Sequence, residues 1–244
     1  PKMLVMFRMY FGAFMNYYMK NRIENGSAIG VNPYGEEWNS IVVKLHSKSH
    51  IANAGDFSGF DSKQTSQLMV MVSEIIEDFY GDCPEEDTKI RRFLWKRIVN
   101  SVHVCEGVIY LWECGLPSGN PLTAMINTMM NRLVHKYVFY RCLNNMLSAF
   151  YVFNEAVYLV ALGDDCVFSV IPEFEDVFNE YCIGELFAEI GMVYTPEDKN
   201  KQHTEEKRSI EEVSFLKRRF IFNSLLGQYT APMLIDPLLE QLNW

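Results

Sequence analysis

The stretch VYLVALGDDCVFSV, residues 157–170, constrains this chain more than any other. Two apolar runs flank Gly163, Asp164 and Asp165, so they read as a buried strand pair that reverses at the glycine. The reversal sets two like charges side by side at the tip of the most hydrophobic hairpin in the chain. Acids are common in turns because their side chains bond to nearby backbone. Adjacent carboxylates also suit a hard divalent cation such as Mg²⁺, which prefers oxygen ligands and relieves the repulsion between them. The hairpin alone leaves both readings open.

The remaining pattern mixes helical and strand periods. Residues 3–20, rich in Met, Phe and Tyr, read as a buried helix, and ENGSAIGVNPYG (24–35) as a loop. A strand is expected over 50–57. Leu68, Met71 or Val72, Ile75 and Phe79 recur at helical spacing and predict an amphipathic helix over 62–80. Further helices are expected over 88–100 and 119–143, with a hairpin over 102–115 turning at Glu106–Gly107. Pro172 opens a helix expected to stop by Gly191, and 213–222 and 225–232 alternate short strands. Helices mixed with antiparallel hairpins indicate an α+β fold.

At 244 residues, 49% apolar and 22% charged, the composition is that of a soluble globular chain. No apolar run approaches the ~20 residues that span a bilayer. Six cysteines (83, 105, 114, 142, 166, 182) form no CxxC pair, so reduced thiols are expected rather than a disulfide framework. A net charge of -9 argues at face value against a nucleic-acid partner. The acids are concentrated, however: residues 74–87 hold seven and residues 173–191 hold six, with no Lys or Arg in either. The rest of the chain carries 22 basic against 18 acidic residues, so another surface can be neutral or basic.

Several further residues carry chemistry. In GDFSGFD (55–61), Asp56 and Asp61 are five apart, about 16 Å on a straight strand and on opposite faces. Gly59 suggests that the strand ends between them, so that Asp56 terminates the strand and Asp61 opens the next helix, where it could serve as an N-cap. In GLPSGNPLTAMINTMMN (115–131), Ser118 and Gly119 precede a helix on which Thr123 and Asn127 share a face. An N-cap role covers Ser118; Asn127, inside an apolar helix, needs partners. Lys199 lies in a polar loop. FLKRRF (215–220) sets Lys217 and Arg218 in a strand, which could be a charge-protected sheet edge.

In order, Asp-x4-Asp, Ser-Gly-x3-Thr-x3-Asn, Gly-Asp-Asp, a downstream Lys and Phe-Leu-Lys-Arg resemble palm motifs A to E of viral RNA-dependent RNA polymerases, most of all those of positive-strand picorna-like viruses. GSAIGVNP (26–33) is similar to the fingers segment before motif A in that group. The resemblance covers nearly the whole chain. It implies a palm-type core with an antiparallel sheet backed by helices: partial fingers at 1–48, palm at 49–234 with an inserted fingers segment at about 82–117, and a thumb stub at 235–244. It implies that Asp56, Asp164 and Asp165 bind two Mg²⁺ ions, with Mn²⁺ as a substitute and the Phe57 carbonyl as a further ligand. Asp61 and Asn127 would sense the ribose 2′-OH, and Ser118, Gly119 and Thr123 would admit the nucleotide. Lys199 would give a proton to pyrophosphate, and Lys217 and Arg218 would grip the primer. The implied partners are RNA template and primer, NTPs and other viral replication proteins, in membrane-associated complexes of the host cytoplasm.

Two departures stand out. Leu162 replaces the Tyr that usually precedes Gly-Asp-Asp, and the basic fingers motif for the triphosphate would lie before Pro1, which reads as a fragment or processed product. The rival readings are a reverse transcriptase, a catalytically silent RNA-binding or scaffold fragment, and a Mg²⁺-dependent phosphohydrolase. Reverse transcriptases usually carry an aromatic residue or Met where this chain has Gly163, and they lack the Asp61/Asn127 pairing. A phosphohydrolase would leave the Ser-Gly-Thr-Asn helix unexplained.

Overall fold

A computed structural model describes residues 2–112, 115–117, 119–197 and 207–241. At its centre β1 (Asn53–Ser58) lies between β5 (Asp165–Val170) and β6 (Val193–Pro196), and β4 (Val157–Leu162) pairs with the far side of β5. All three pairings are antiparallel. β4 and β5 are apolar at almost every position because both faces of this sheet are covered. One face packs in a large core with α1 (Lys2–Lys20), α3 (Ser66–Tyr80), α4 (Glu85–Val99), α5 (Thr123–Cys142), α6 (Ala149–Ala156) and α7 (Glu180–Glu189). The other face meets Trp38, Ile41, Val42 and Leu45 of α2 (Glu36–His46), together with Phe215 and Phe220. The α+β class expected from the sequence is the one observed.

Turn chemistry fixes the register. Leu162 pairs with Asp165, leaving Gly163 and Asp164 as a two-residue loop. Gly163 has φ 65°, the pattern of a type II′ hairpin turn, which needs glycine at its first central position. The second hairpin, β2 (Ser101–Cys105) and β3 (Val108–Trp112), turns at Glu106–Gly107 as expected. The loop over 24–35 is also present, and its Ser27 makes a parallel bridge to Ala161 at the open edge of β4.

Several expectations need correction. α3 begins at Ser66, capped by Thr65, so Asp61 is not a helix cap; it sits in a short 3₁₀ turn, Phe60–Lys63. The buried face of α3 is Met69, Val72 and Ile76, whereas Met71, Ile75 and Phe79 are exposed. α1 buries only Phe7, Phe11, Phe14 and Tyr18. Pro172 opens a 3₁₀ turn, Pro172–Phe174, and α7 starts afresh after Asn179, whose side chain accepts from Tyr181 N and Cys182 N. The C-terminal run divides into β7 (Ser214–Phe215), β8 (Arg218–Arg219), β9 (Ile221–Asn223), β10 (Gln228–Thr230) and α8 (Ile235–Gln241). Lys217 is therefore in a turn, not a strand. Among the described residues no helix is long and apolar enough to cross a membrane.

His135 is completely buried on α5, its Nδ1 2.9 Å from the Asn131 carbonyl and its ring edge-on to Phe57 and Phe187. Burial pushes its pKa down to about 4. The unfolded chain takes up a proton near the ordinary value of 6.5 that the folded state refuses. Stability is therefore full above that pH and falls as pH drops towards about 4, by ~3 kcal/mol from this group. Urea titrations of the wild type and of His135→Met at several pH values should show this slope in the former and its loss in the latter.

Candidate active site

The β1–β5 ladder pairs Gly55 with Cys166, so the next rung sets Asp56 across from Asp165. Two segments more than a hundred residues apart thus bring their carboxylates to one end of the sheet. Asp164 stands at the tip of the turn. Partial burial raises its pKa, and the charges of Asp56 and Asp61 add to the rise. Asp165 is pushed up to about 7 by burial first and Asp56 second, against the lowering effect of Lys217. Both acids are crowded by like charge, which is the electrostatic state a divalent cation would reverse.

The turn is held from below by α5. Thr128 Oγ1 accepts from Gly163 N at 3.0 Å, and Asn131 Nδ2 donates to the Gly163 and Asp164 carbonyls, each at 3.0 Å. Neither residue was singled out from the sequence. The signal was present: Thr123, Asn127 and Asn131 recur every four residues as a polar stripe along an otherwise apolar helix. Asn127, also buried, donates through Nδ2 to Asp61 Oδ1 and accepts from Gln64 Nε2 at 3.1 Å. Its need for partners is met by the acid in the 3₁₀ turn and by a glutamine that sequence reasoning missed.

Other candidates lie at the margins. Thr123 opens α5 and donates to the Pro117 carbonyl at 3.0 Å, while Gly119 is exposed with φ 86°. The helix cap is Leu122, four residues after Ser118. Leu216 and Lys217 form the β7–β8 turn with φ of 55° and 58°, a left-handed pair without glycine that costs on the order of 1 kcal/mol per residue. That strained turn aims Leu216 N at Asp165 Oδ2, 3.2 Å away, and brings Lys217 into the field of Asp165. Arg218 turns elsewhere: it donates to the Ala231 carbonyl at 2.8 Å and lies over the Tyr34 ring. Leu162, in the position before Gly163, packs against the α2 side of the core. Ser118 and Lys199 lie outside the described residues.

In this conformation no three acid, histidine or cysteine side chains among the described residues are gathered closely enough to hold one metal ion. Asp56 Oδ1 accepts from Phe57 N at 2.8 Å. The oxygen-only character of Asp56, Asp164 and Asp165 nevertheless matches what a hard cation takes as ligands.

The family described as viral RNA-dependent RNA polymerase matches residues 1–244. A replicase polyprotein of Acute bee paralysis virus (strain Rothamsted) is 36% identical over 249 residues, covering 98% of this chain and 13% of the polyprotein. The replicase polyprotein of Drosophila C virus (strain EB) is 34% identical over 252 residues, covering 99% and 14%. A genome polyprotein of Rice tungro spherical virus (strain A) is 30% identical over 250 residues, covering 100% and 7%. These relatives are polyproteins of picorna-like viruses, and the chain spans 7% to 14% of their length. The chain belongs to the family of viral RNA-dependent RNA polymerases.

Proposed function

We propose that this chain carries the catalytic centre for template-directed RNA synthesis in viral RNA replication. The reaction is nucleotidyl transfer from an NTP to the 3′-OH of a primer RNA. The observation that carries the reading is that Asp56, Asp164 and Asp165 lie within one another's electrostatic reach at one end of the sheet, with Asp61 beside them in its turn and bonded to Asn127. Family membership supports it. The domain reading accompanies it: partial fingers at 1–48, palm at 49–234 with a fingers insertion at about 82–117, and a thumb stub at 235–244.

In this reading Asp56, Asp164 and Asp165 hold two Mg²⁺ ions, or Mn²⁺, with the Phe57 carbonyl as a further ligand. When bound, the ions make the primer 3′-oxygen a stronger nucleophile and stabilise charge on the leaving pyrophosphate. The 3′-hydroxyl gives up its proton to solvent, its oxygen bonds to the α-phosphorus as the bond to pyrophosphate breaks, and Lys199 supplies a proton to the leaving group. Thr128 and Asn131 fix the turn that carries Asp164. Asn127, oriented by Gln64 and Asp61, presents its amide to the ribose 2′-OH, the group that separates RNA precursors from DNA precursors. Ser118, Gly119 and Thr123 border the nucleotide's entry. Lys217 contacts the primer strand beside Asp165, and Arg218 supports that turn through Ala231 and Tyr34. The partners are template and primer RNA, NTPs and other products of the polyprotein, in membrane-associated complexes of the host cytoplasm.

The test is primer extension on an RNA template by a polymerase that contains this chain, comparing NTPs with dNTPs. Asn127→Ala should lower the preference for ribose about tenfold, the worth of roughly one hydrogen bond. Unchanged discrimination would remove Asn127 from sugar selection, and template-independent or absent extension by the wild type would overturn the function.

A further inference from the structure

A cavity of about 450 Å³ lies behind α5. Met129, Arg132, Leu133 and Lys136 line it at i, i+3, i+4 and i+7, one helical face, and that face points away from Asn127 and Asn131. Tyr18, Phe153 and Tyr158 supply aromatic wall from other elements. The cavity is thus separated from the candidate catalytic end of the sheet by the thickness of a helix.

Its charge is unbalanced. Arg132 and Lys136 both face the space, and neither is ion-paired among the described residues. Arg132 gives Nη1 to the Leu159 carbonyl at 2.6 Å, and no other hydrogen bond from the described residues engages the guanidinium. The one lining acid, Glu24, is held by Lys44 at 2.7 Å. The Tyr18 hydroxyl, buried close to Ser27, makes no well-aligned hydrogen bond. Burial pushes both cations below their ordinary values, and Arg132 adds to the effect on Lys136. Sheltered charges are costly unless an opposite charge joins them. A phosphomonoester carries close to two negative charges at neutral pH and accepts from a guanidinium fork and an ammonium together.

We infer that this cavity binds a phosphomonoester with an aromatic body of about mononucleotide size, its phosphate on Arg132 and Lys136 and its body against Met129, Leu133 and Phe153. The size of the space is within the range of small-molecule sites. The inference is independent of polymerase activity.

The experiment uses the full chain in EDTA, so that metal-dependent nucleotide binding at the aspartates is silent. Methyl NMR signals of Met129, Ile75 and Leu133 are followed during titration with AMP, adenosine, inorganic phosphate and a 5′-phosphorylated dinucleotide. AMP should shift these signals saturably, and adenosine should bind at least about tenfold more weakly. Lys136→Met, which keeps the apolar stem, should weaken AMP about tenfold without altering remote signals. Arg132→Lys, which keeps charge and loses the fork, should weaken it by a smaller factor. Tighter binding of AMP than of the dinucleotide supports a free nucleotide as ligand, and the reverse supports an RNA 5′ end. Equal affinity for AMP and adenosine, shifts confined to Met125 and Ile126, no saturable shift with AMP, or wild-type affinity in both variants would overturn it.

Discussion

Asp164→Asn is expected to lower primer extension by a factor of about 10³ or more while leaving the fold at least as stable as the wild type. The two effects have opposite signs for one reason. Burial first, and then the charges of Asp56 and Asp61, raise the pKa of the Asp164 carboxyl, so its negative charge is a cost to the folded chain. An amide of the same shape removes that repulsion. The same charge is what a bound divalent cation requires, and losing one carboxylate from such a site costs several kcal/mol of transition-state stabilisation, ~4 kcal/mol for a thousandfold. Extension rates and urea midpoints measured on the same preparations check both halves. A rate within tenfold of wild type would end the metal-ligand assignment of Asp164, and a lower midpoint would contradict the crowding argument.

Gly26→Ala should be the most destabilising small substitution away from the site, by about 2–4 kcal/mol. A Cβ at Gly26 would lie 2.0 Å from Arg132 Nη1 and 2.0 Å from the Leu159 carbonyl oxygen, with φ 62°. Arg132 can swing aside only by giving up its bond to Leu159, and the carbonyl belongs to β4, which is paired along its whole length with β5. The loop must retreat instead, breaking the hydrogen bonds of Ala28 N to the Ala161 carbonyl and of Ala161 N to the Gly26 carbonyl. Gly107→Ala is the control. Its φ is 81° and nothing lies near its Cβ, so it isolates the cost of the left-handed backbone, about 1 kcal/mol. Equal losses in the two variants, measured by denaturant unfolding, would show that the close approach at Gly26 carries no energy.

What could be read in the sequence was whatever a local pattern decides. The 157–170 hairpin is unmistakable because its strands are apolar on both faces and its turn needs the glycine it has. Gly59 does mark the end of β1, but the strand runs on to Ser58, so Asp56 lies two residues inside it rather than at its end. The buried face of α3 was misread because apolar residues lie on both sides of that helix, and only packing against α4 and α5 selects Met69, Val72 and Ile76. The stop before α7 was missed because Asn179 looks like any polar residue until its side chain is seen capping the helix. The Leu216–Lys217 turn carries none of the glycine or asparagine that marks a left-handed reversal, so its contact with Asp165 had no local signature. Thr128 has no such signature either, and the polar stripe that marks Asn131 does not name its partner. Both act on backbone atoms more than thirty residues away, and a one-dimensional pattern does not say which carbonyl a buried amide will find.

Asn127 and Asn131 sit one turn apart on α5, one bonded to Asp61 and the other to the backbone of Gly163 and Asp164. The helix therefore works as a rigid lever with two hands. A core substitution that slides α5 by a fraction of an ångström displaces the Asn127–Asp61 pair and the acidic turn together. On the roles proposed above for Asn127 and Asp164, accuracy and speed are mechanically coupled. Variants of the α5 core should trade one against the other along a single line, and independent tuning of the two would have to come from outside this helix.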